Sequence, residues 1–351
     1  MAYEIDYIPV GNGEKAGDAI ALRFGNLAGP RTEQGVIVID GGFKESGEAL
    51  VEHIKTHYGT DYVDLAISTH PDADHASGLC VVLERLRVGT LLMHKPWDHA
   101  ADIKSFFKNK TLTASGLEEK LEKSLQHAND LEELAKKKNI PVVEPFRGVA
   151  GFNGALHVLG PSQEYYEKLL ALFRETPEPK KELGILAPIF KVAEEAAKLI
   201  RDFWHIDLLD DDEETTSAEN NTSAIILLTI DGHKLLFTGD AGKTALHLAA
   251  DYADSNRITL TDLTLLDVPH HGSKRNLSSK VLKRIRGQKA SISAPTDSDK
   301  HPSKKVINAL KKHGMTVYAT KGATLCHPYN APVRVGWGPA TEEPFYDLVE
   351  E

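Results

Sequence analysis

The stretch Tyr62–His75, YVDLAISTHPDADH, decides how the chain is read. YVDLAIS is an apolar run with the length and composition of a buried strand. It passes almost directly into His70-Pro71-Asp72-Ala73-Asp74-His75, where two imidazoles and two carboxylates fall within six residues. A strand end feeding a loop is where an α/β fold exposes functional groups. Two imidazoles and two carboxylates suit zinc, manganese or iron. A merely solvated loop does not require four such donors at this spacing.

Outward from that stretch, strand-like and helix-like pieces alternate. Strands are predicted at Tyr3–Pro9, Asp18–Phe24 and Gly35–Asp40, and helices at 46–58 and Ala76–Val88. Residues 100–140 are rich in Lys, Glu and Leu and predict one or two surface helices. Val142–Val143 and Ala155–Leu159 return to strand character. Residues 163–205 read as helical, with a break around Thr176–Pro179, and Asp207–Thr216 as an acidic loop. SAIILLTI, the turn Asp231-Gly232 and KLLFTGD then predict a hairpin. Helix Lys243–Tyr252, strand Leu263–Val268, helix Ser278–Ile285, strand Ala290–Ser293, helix Pro302–His313 and strand Met315–Ala319 complete the alternation. The expectation is one α/β domain over residues 1–351, with helical insertions at about 100–140 and 163–215.

Three further elements carry chemistry-bearing residues at strand ends or helix starts. LLFTGD ends in Asp240, a carboxylate placed to bridge two ions. Asp267-Val268-Pro269-His270-His271-Gly272-Ser273 follows the apolar run LTLLD; adjacent histidines point in different directions, so one can ligate while the other faces substrate. His301-Pro302-Ser303 opens a helix, whose free N–H groups suit an anionic oxygen.

Composition sets the outer bounds. The 351 residues are 41% hydrophobic and 26% charged, which excludes a disordered or collagen-like chain. No apolar run is longer than AIILL at Ala224–Leu228, so no membrane span is expected. The N-terminus shows no signal-peptide pattern, and two cysteines, Cys80 and Cys326, cannot build a disulfide framework; a cytoplasmic protein is expected. The net charge of −10 repels long polyanions, and aromatic–basic stripes for an extended nucleic-acid platform are lacking.

The order HxDxDH, Gly-Asp, His-His, His-Pro resembles the metallo-β-lactamase fold superfamily. It is most similar to the branch containing the hydrolase domain of the DNA-uptake channel protein ComEC and its free-standing soluble relatives. Val10–Gly13 with Gly17-Asp18-Ala19 resembles that branch's VGxGDA opening, Val38–Gly42 its IDGG strand, and Ser68–Gly78 its HPDxDHxGG. Glu219–Ser223 with Thr238-Gly239-Asp240 is similar to NNxS…TGD, Val268–Ser273 to VPHHGS, and His301-Pro302 with Val317–Thr320 to HP…VYxT.

The resemblance implies an αββα sandwich with two divalent ions at one edge. His70 and Asp72 would hold one ion and Asp240 would bridge. The other ion would take Asp74, His75 and one histidine of the adjacent pair, a choice the resemblance leaves open; His270 is taken as that ligand and His271 as facing substrate. Asp72 replaces a commoner histidine and tilts the first position from zinc toward manganese or magnesium. The histidine that usually completes that position has no counterpart; Glu219-Asn220-Asn221 lies nearby instead.

The implied chemistry is hydrolysis by a metal-activated water, with Asp74 orienting or deprotonating it. His271, Ser273, Lys274 and His301 would neutralise charge on the electrophile. The basic pair Lys274-Arg275 on an acidic protein favours a phosphate ester, with a nucleotide or short single strand fitting the net charge better than long duplex. A thioester or lactone hydrolase and a regulatory binding protein with a degenerate site are the alternatives. The helical insertions are expected to shape access to the site, and to offer a surface for self-association or a protein partner.

Overall fold

The computed structural model describes residues 1–180, 199–204, 208–209 and 216–350. In chain order the strands are β1 Ala2–Tyr7, β2 Ala19–Gly25, β3 Gln34–Gly41, β4 Tyr62–Ile67, β5 Arg87–Leu92, β6 Val142–Val143, β7 Ala150–Gly151, β8 Leu156–Gly160, β9 Leu199–Arg201, β10 Ile225–Ile230, β11 His233–Phe237, β12 Leu263–Asp267, β13 Gly287–Ile292, β14 Thr316–Ala319, β15 Leu325–Tyr329 and β16 Leu348–Glu350. The described helices are α1 Lys44–His53, α2 Ala73–Arg85, α3 Ala100–Ile103, α4 Ala114–Ser124, α5 Gln126–Lys137, α6 Gln163–Leu170, α7 Ala218–Asn221, α8 Lys243–Ser255, α9 Ser279–Arg284 and α10 Lys304–Lys312.

Two seven-stranded sheets carry most of these strands, in the orders β15-β1-β2-β3-β4-β5-β6 and β14-β13-β12-β11-β10-β8-β7. Their facing residues form a central apolar layer, with Ile20, Leu22, Ile37, Ile39 and Ile67 from the first sheet against Val158, Ile226, Leu228, Leu235 and Phe237 from the second. The outer face of the first sheet is covered by α1, α2, α4, α5 and α6 through Leu50, Leu79, Val82, Leu121, Leu131 and Leu170. That of the second is covered by α8, α9 and α10 through Leu246, Ala249, Leu282, Val306 and Leu310. Each sheet thus buries both faces, which is why its central strands read as unbroken apolar runs. The result is the αββα sandwich that the resemblance implies.

Within each sheet one half is parallel: β3, β4, β5 and β6 in the first, β11, β12, β13 and β14 in the second. Asp40 lies at the end of β3, and the loops after β4, β11 and β12 carry His70, Asp240 and the pair His270-His271. Parallel strands bring such loops to their carboxyl ends, where α/β folds place sites.

The hairpin between β10 and β11 turns through Asp231 (φ 53°) and Gly232 (φ 82°), the two left-handed residues a tight hairpin needs. Other elements depart from the sequence-based expectation. The helix expected at Ala76–Val88 stops at Arg85, and Arg87–Leu92 becomes β5, parallel to β4. The apolar positions of LCVVLERLRV run on without a break, so periodicity alone merges the two. Strands β15 and β16 lie in the tail, where no element was expected; β15 pairs with β1 and closes one edge of the first sheet. The expected helical block 163–205 contains α6 and, at its end, β9, which pairs with β16. The rest of that block over 181–198, and the acidic loop apart from 208–209 and Thr216, lie outside the described residues. Among the described residues no helix is long and apolar enough to cross a membrane.

Candidate metal centre

Close backbone packing sets the site. A Cβ placed on Gly78 would lie 1.9 Å from the Gly41 carbonyl oxygen, so α2 rests backbone-to-backbone on the end of β3. That approach sets His75, in the first turn of α2, against Asp40. Gly239 has φ +49°, and a Cβ there would meet Thr69 Oγ1 at 2.7 Å. The loop after β11 therefore closes onto the loop after β4, and Asp240 reaches the centre of the cluster. His270, His271 and Gly272 are all left-handed, with φ of 51°, 56° and 76°. This strained turn carries the two rings to different sides, 5.7 Å apart between centroids and inclined by 72°.

Asp240 lies between four imidazoles. His75 Nε2 is 3.5 Å and His271 Nε2 3.7 Å from Asp240 Oδ1. His70 Nε2 is 3.9 Å and His270 Nε2 3.5 Å from Asp240 Oδ2. Each ring has a polar neighbour behind it at Nδ1, hydrogen-bonded at His70, His75 and His270 and an ion-pair contact at His271. Asp40 Oδ2 lies 2.8 Å behind His75, and Asp18 Oδ1 3.4 Å behind His271. Thr69 Oγ1 lies 3.1 Å behind His70, and Asn276 Oδ1 2.9 Å behind His270. Outer partners on Nδ1 fix ring orientation and leave Nε2 facing inward, as in metal-bound histidines.

The inward atoms of this buried cluster have no hydrogen-bond partner: His70 Nε2, His75 Nε2, His271 Nε2 and Asp240 Oδ1. Buried polar atoms are almost always satisfied, so a set of orphans aimed at one another suits a ligand. The donor chemistry, imidazole and carboxylate, is that of a divalent cation. His70, His75 and Asp240 bring ligand atoms within 4.8 Å of one another, as do Asp74, His75 and His271. The residues present fit a metal centre.

Electrostatics agree with that fit. Burial, with His75 alongside, holds His70 well below the usual imidazole range, so it is neutral and keeps a lone pair. Burial opposes charge on His75, yet the Asp240 and Asp40 carboxylates outweigh it and hold its affinity for a proton well above normal. Burial likewise opposes charge on His271, which Asp240 and Asp18 raise to about 9. These protons stand where a cation's charge would otherwise balance the carboxylates, and a metal would displace them. Burial and the neighbouring Asp74 push Asp72 up to about 6.

The structure distributes the expected site residues unevenly. His70, His75, Asp74, Asp240 and His271 meet in the cluster. It is His271, and not His270, whose ring joins Asp74 and His75; His270 faces the other oxygen of Asp240. Asp72 lies further out, its Oδ2 4.0 Å from His70 Nε2 and 3.7 Å from Arg174 Nη2. His301 lies beside the pair, its ring 5.9 Å from that of His270 and 6.3 Å from that of His271. Burial and those two imidazoles lower His301 to about 3, so it offers a neutral hydrogen-bonding ring rather than a charge. Lys274 follows on the same turn, half-buried.

Four functional residues were not singled out from the sequence. Asp18 and Asp40 are the buried carboxylates behind His271 and His75; Asn276 stands behind His270; Arg174, beyond α6, reaches Asp72 and Glu219. The signal for Asp18 and Asp40 was a carboxylate at the end of a strand within the VGxGDA-like and IDGG-like motifs. Glu219 turns its carboxylate to Arg174, accepting from its backbone N–H at 2.8 Å and its Nε at 3.2 Å.

The family model of the metallo-beta-lactamase superfamily matches residues 30–293, well over half of the chain. No curated protein matches it. Among solved structures, a diphosphatase of the PhnP family is 10% identical, with a TM-score of 0.38 over 93% of this chain and 98% of that one. A long-form RNase Z from yeast is 12% identical, with a TM-score of 0.37 over 84% of this chain and 37% of that one. A Cronobacter sakazakii metallo-beta-lactamase is 12% identical, with a TM-score of 0.29 over 66% and 58%. With the family model spanning the strands and loops that build the cluster, the chain belongs to the metallo-beta-lactamase superfamily, whose members are mostly metal-dependent hydrolases.

Proposed function

We propose that the chain hydrolyses phosphate esters, with nucleotides or short single-stranded nucleic acid as the substrate class. The observation that carries this reading is the convergence of four Nε2 atoms on Asp240 beside the cationic side chain of Arg174. The ComEC-like order of motifs supports the nucleic-acid class. Bound in the cluster, a divalent ion (manganese, zinc or magnesium) lowers the pKa of water and polarises a phosphoryl oxygen. Asp74, half-buried at the start of α2, is placed among His75 and His271 to orient the attacking water and accept its proton. Arg174, whose side chain is 70% exposed, and Lys274 bind the anionic oxygens of the ester. His301 contributes a neutral hydrogen bond to the same group.

A substrate panel tests the class. Bis(p-nitrophenyl) phosphate and a short single-stranded oligonucleotide are compared with an acyl thioester and a lactone, each with manganese, zinc or magnesium. The phosphodiesters are expected to turn over, with Arg174→Ala raising KM more than it lowers kcat. Turnover of the thioester or lactone alone overturns the phosphoester reading.

A further inference from the structure

We propose that His270 supplies the third protein donor of the first metal position, so that the adjacent histidines divide between two ions bridged by Asp240. This rests on the reading above that the cluster holds metal. The position built on His70 and Asp72 lacks the histidine that the family's pattern provides from another element. Asn220 and Glu219 lie in that neighbourhood; Asn220 turns no oxygen inward, and Glu219 is drawn to Arg174. Ser217 Oγ takes the Asn220 backbone N–H at 3.0 Å, so its own hydroxyl donates to Asn220 Oδ1 at 2.7 Å. The Asn220 amide therefore turns its NH2 inward, 3.3 Å from Asp240 Oδ2. Glu219 Oε1 accepts from both the backbone N–H and the Nε of Arg174.

His270 has the donor that those residues lack. Asn276 donates from Nδ2 to the Asp240 and Ala241 carbonyls at 2.9 and 3.2 Å, which fixes its Oδ1 as an acceptor. His270 must then donate from Nδ1 to that oxygen, at 2.9 Å, and its Nε2 keeps the lone pair. That lone pair lies 3.5 Å from Asp240 Oδ2, the oxygen that His70 Nε2 also faces, and accepts from Asn220 Nδ2 at 3.5 Å, a contact that an ion would displace. His271 and His75 face Oδ1. The left-handed backbone at both histidines is what allows consecutive rings to serve opposite oxygens.

Ion content tests this without reference to turnover. Protein stripped with chelator, reloaded with manganese and desalted is analysed for metal per chain and by electron paramagnetic resonance. Wild type is expected to hold two ions with the spectrum of an exchange-coupled pair. His270→Ala and His271→Ala are each expected to hold one, with the six-line spectrum of an isolated ion. Asn276→Ala, which frees the His270 tautomer, is expected to weaken one ion at least tenfold and leave the other; unchanged thermal midpoints of the stripped variants separate lost donors from lost folding. Two ions in His270→Ala, or a single ion in wild type, overturns the division of the pair and leaves the metal reading standing. No ion in wild type overturns both.

Discussion

Asp40 acts through His75. Its carboxylate accepts from Thr69 N at 2.8 Å, Thr69 Oγ1 at 2.6 Å and His75 Nδ1 at 2.8 Å. Asp40→Asn keeps the shape but sets an N–H2 against donors. Metal affinity, measured by competition with a chromophoric chelator, is expected to fall roughly 10- to 100-fold. Unchanged affinity contradicts the orienting role. At this scale the inner donors were legible because His70–His75, Asp240 and His270-His271 are dense local motifs at strand ends. Their supports were not. Asp40 and His75 are 35 positions apart, and a pairing at that separation is settled by packing and not by local pattern. Arg174 meets Asp72 only because α6 folds back over the site, which no periodicity announces.

Helix α2 is the element that joins fold to site. Its first turn carries Asp74 and His75, and Gly78 lets it lie on β3. Gly78→Ala forces a methyl into the Gly41 carbonyl, and the helix cannot retreat without moving His75. The expected loss is roughly 1–3 kcal/mol of stability, read from urea unfolding, together with weaker metal binding. Stability equal to wild type contradicts the close packing. Ser77 on the same helix donates to the Ala73 carbonyl at 2.5 Å and the Gly42 carbonyl at 3.2 Å, so a side chain where the resembling branch carries glycine is accommodated by hydrogen bonds. Elements with their own punctuation were legible: the Asp231-Gly232 hairpin, and α10 with its Ser303 cap and Gly314 stop. Strand β5 was not, because its pairing with β4, and not its own pattern, makes it a strand.

Over the whole molecule, buried neutral histidines add to the loss of stability in acid. Burial, with His99 nearby, lowers His94 to about 3, and burial with Lys289 lowers His327 to about 4. The unfolded chain takes up these protons near the ordinary imidazole value of about 6.5, while the folded chain does not. Their contribution is therefore complete above about pH 6.5 and is lost as pH falls toward 4. For His94 alone the loss at pH 5 is on the order of 2 kcal/mol. His94 stacks on Tyr166 at 4.3 Å, and both its ring nitrogens lack hydrogen bonds. His94→Phe preserves the stack, and its urea midpoint is expected to change less between pH 7 and pH 5 than that of wild type. Equal slopes contradict the assignment. The overall α/β class was legible from alternation alone, because each sheet is buried on both faces and its central strands read as apolar runs. The split into two sheets came from the resemblance and not from alternation, and the closing of the first sheet by β15, from the far end of the chain, came from neither.

Hydrolysis by this chain is proposed to depend on metal held around Asp240. The most direct test is bis(p-nitrophenyl) phosphate turnover before chelation, after it, and after return of manganese or zinc, with Asp240→Asn alongside. Turnover is expected to be abolished by chelation, restored by the ion, and reduced at least a hundredfold in Asp240→Asn at every metal concentration. Turnover that survives chelation, or that Asp240→Asn retains, contradicts that dependence.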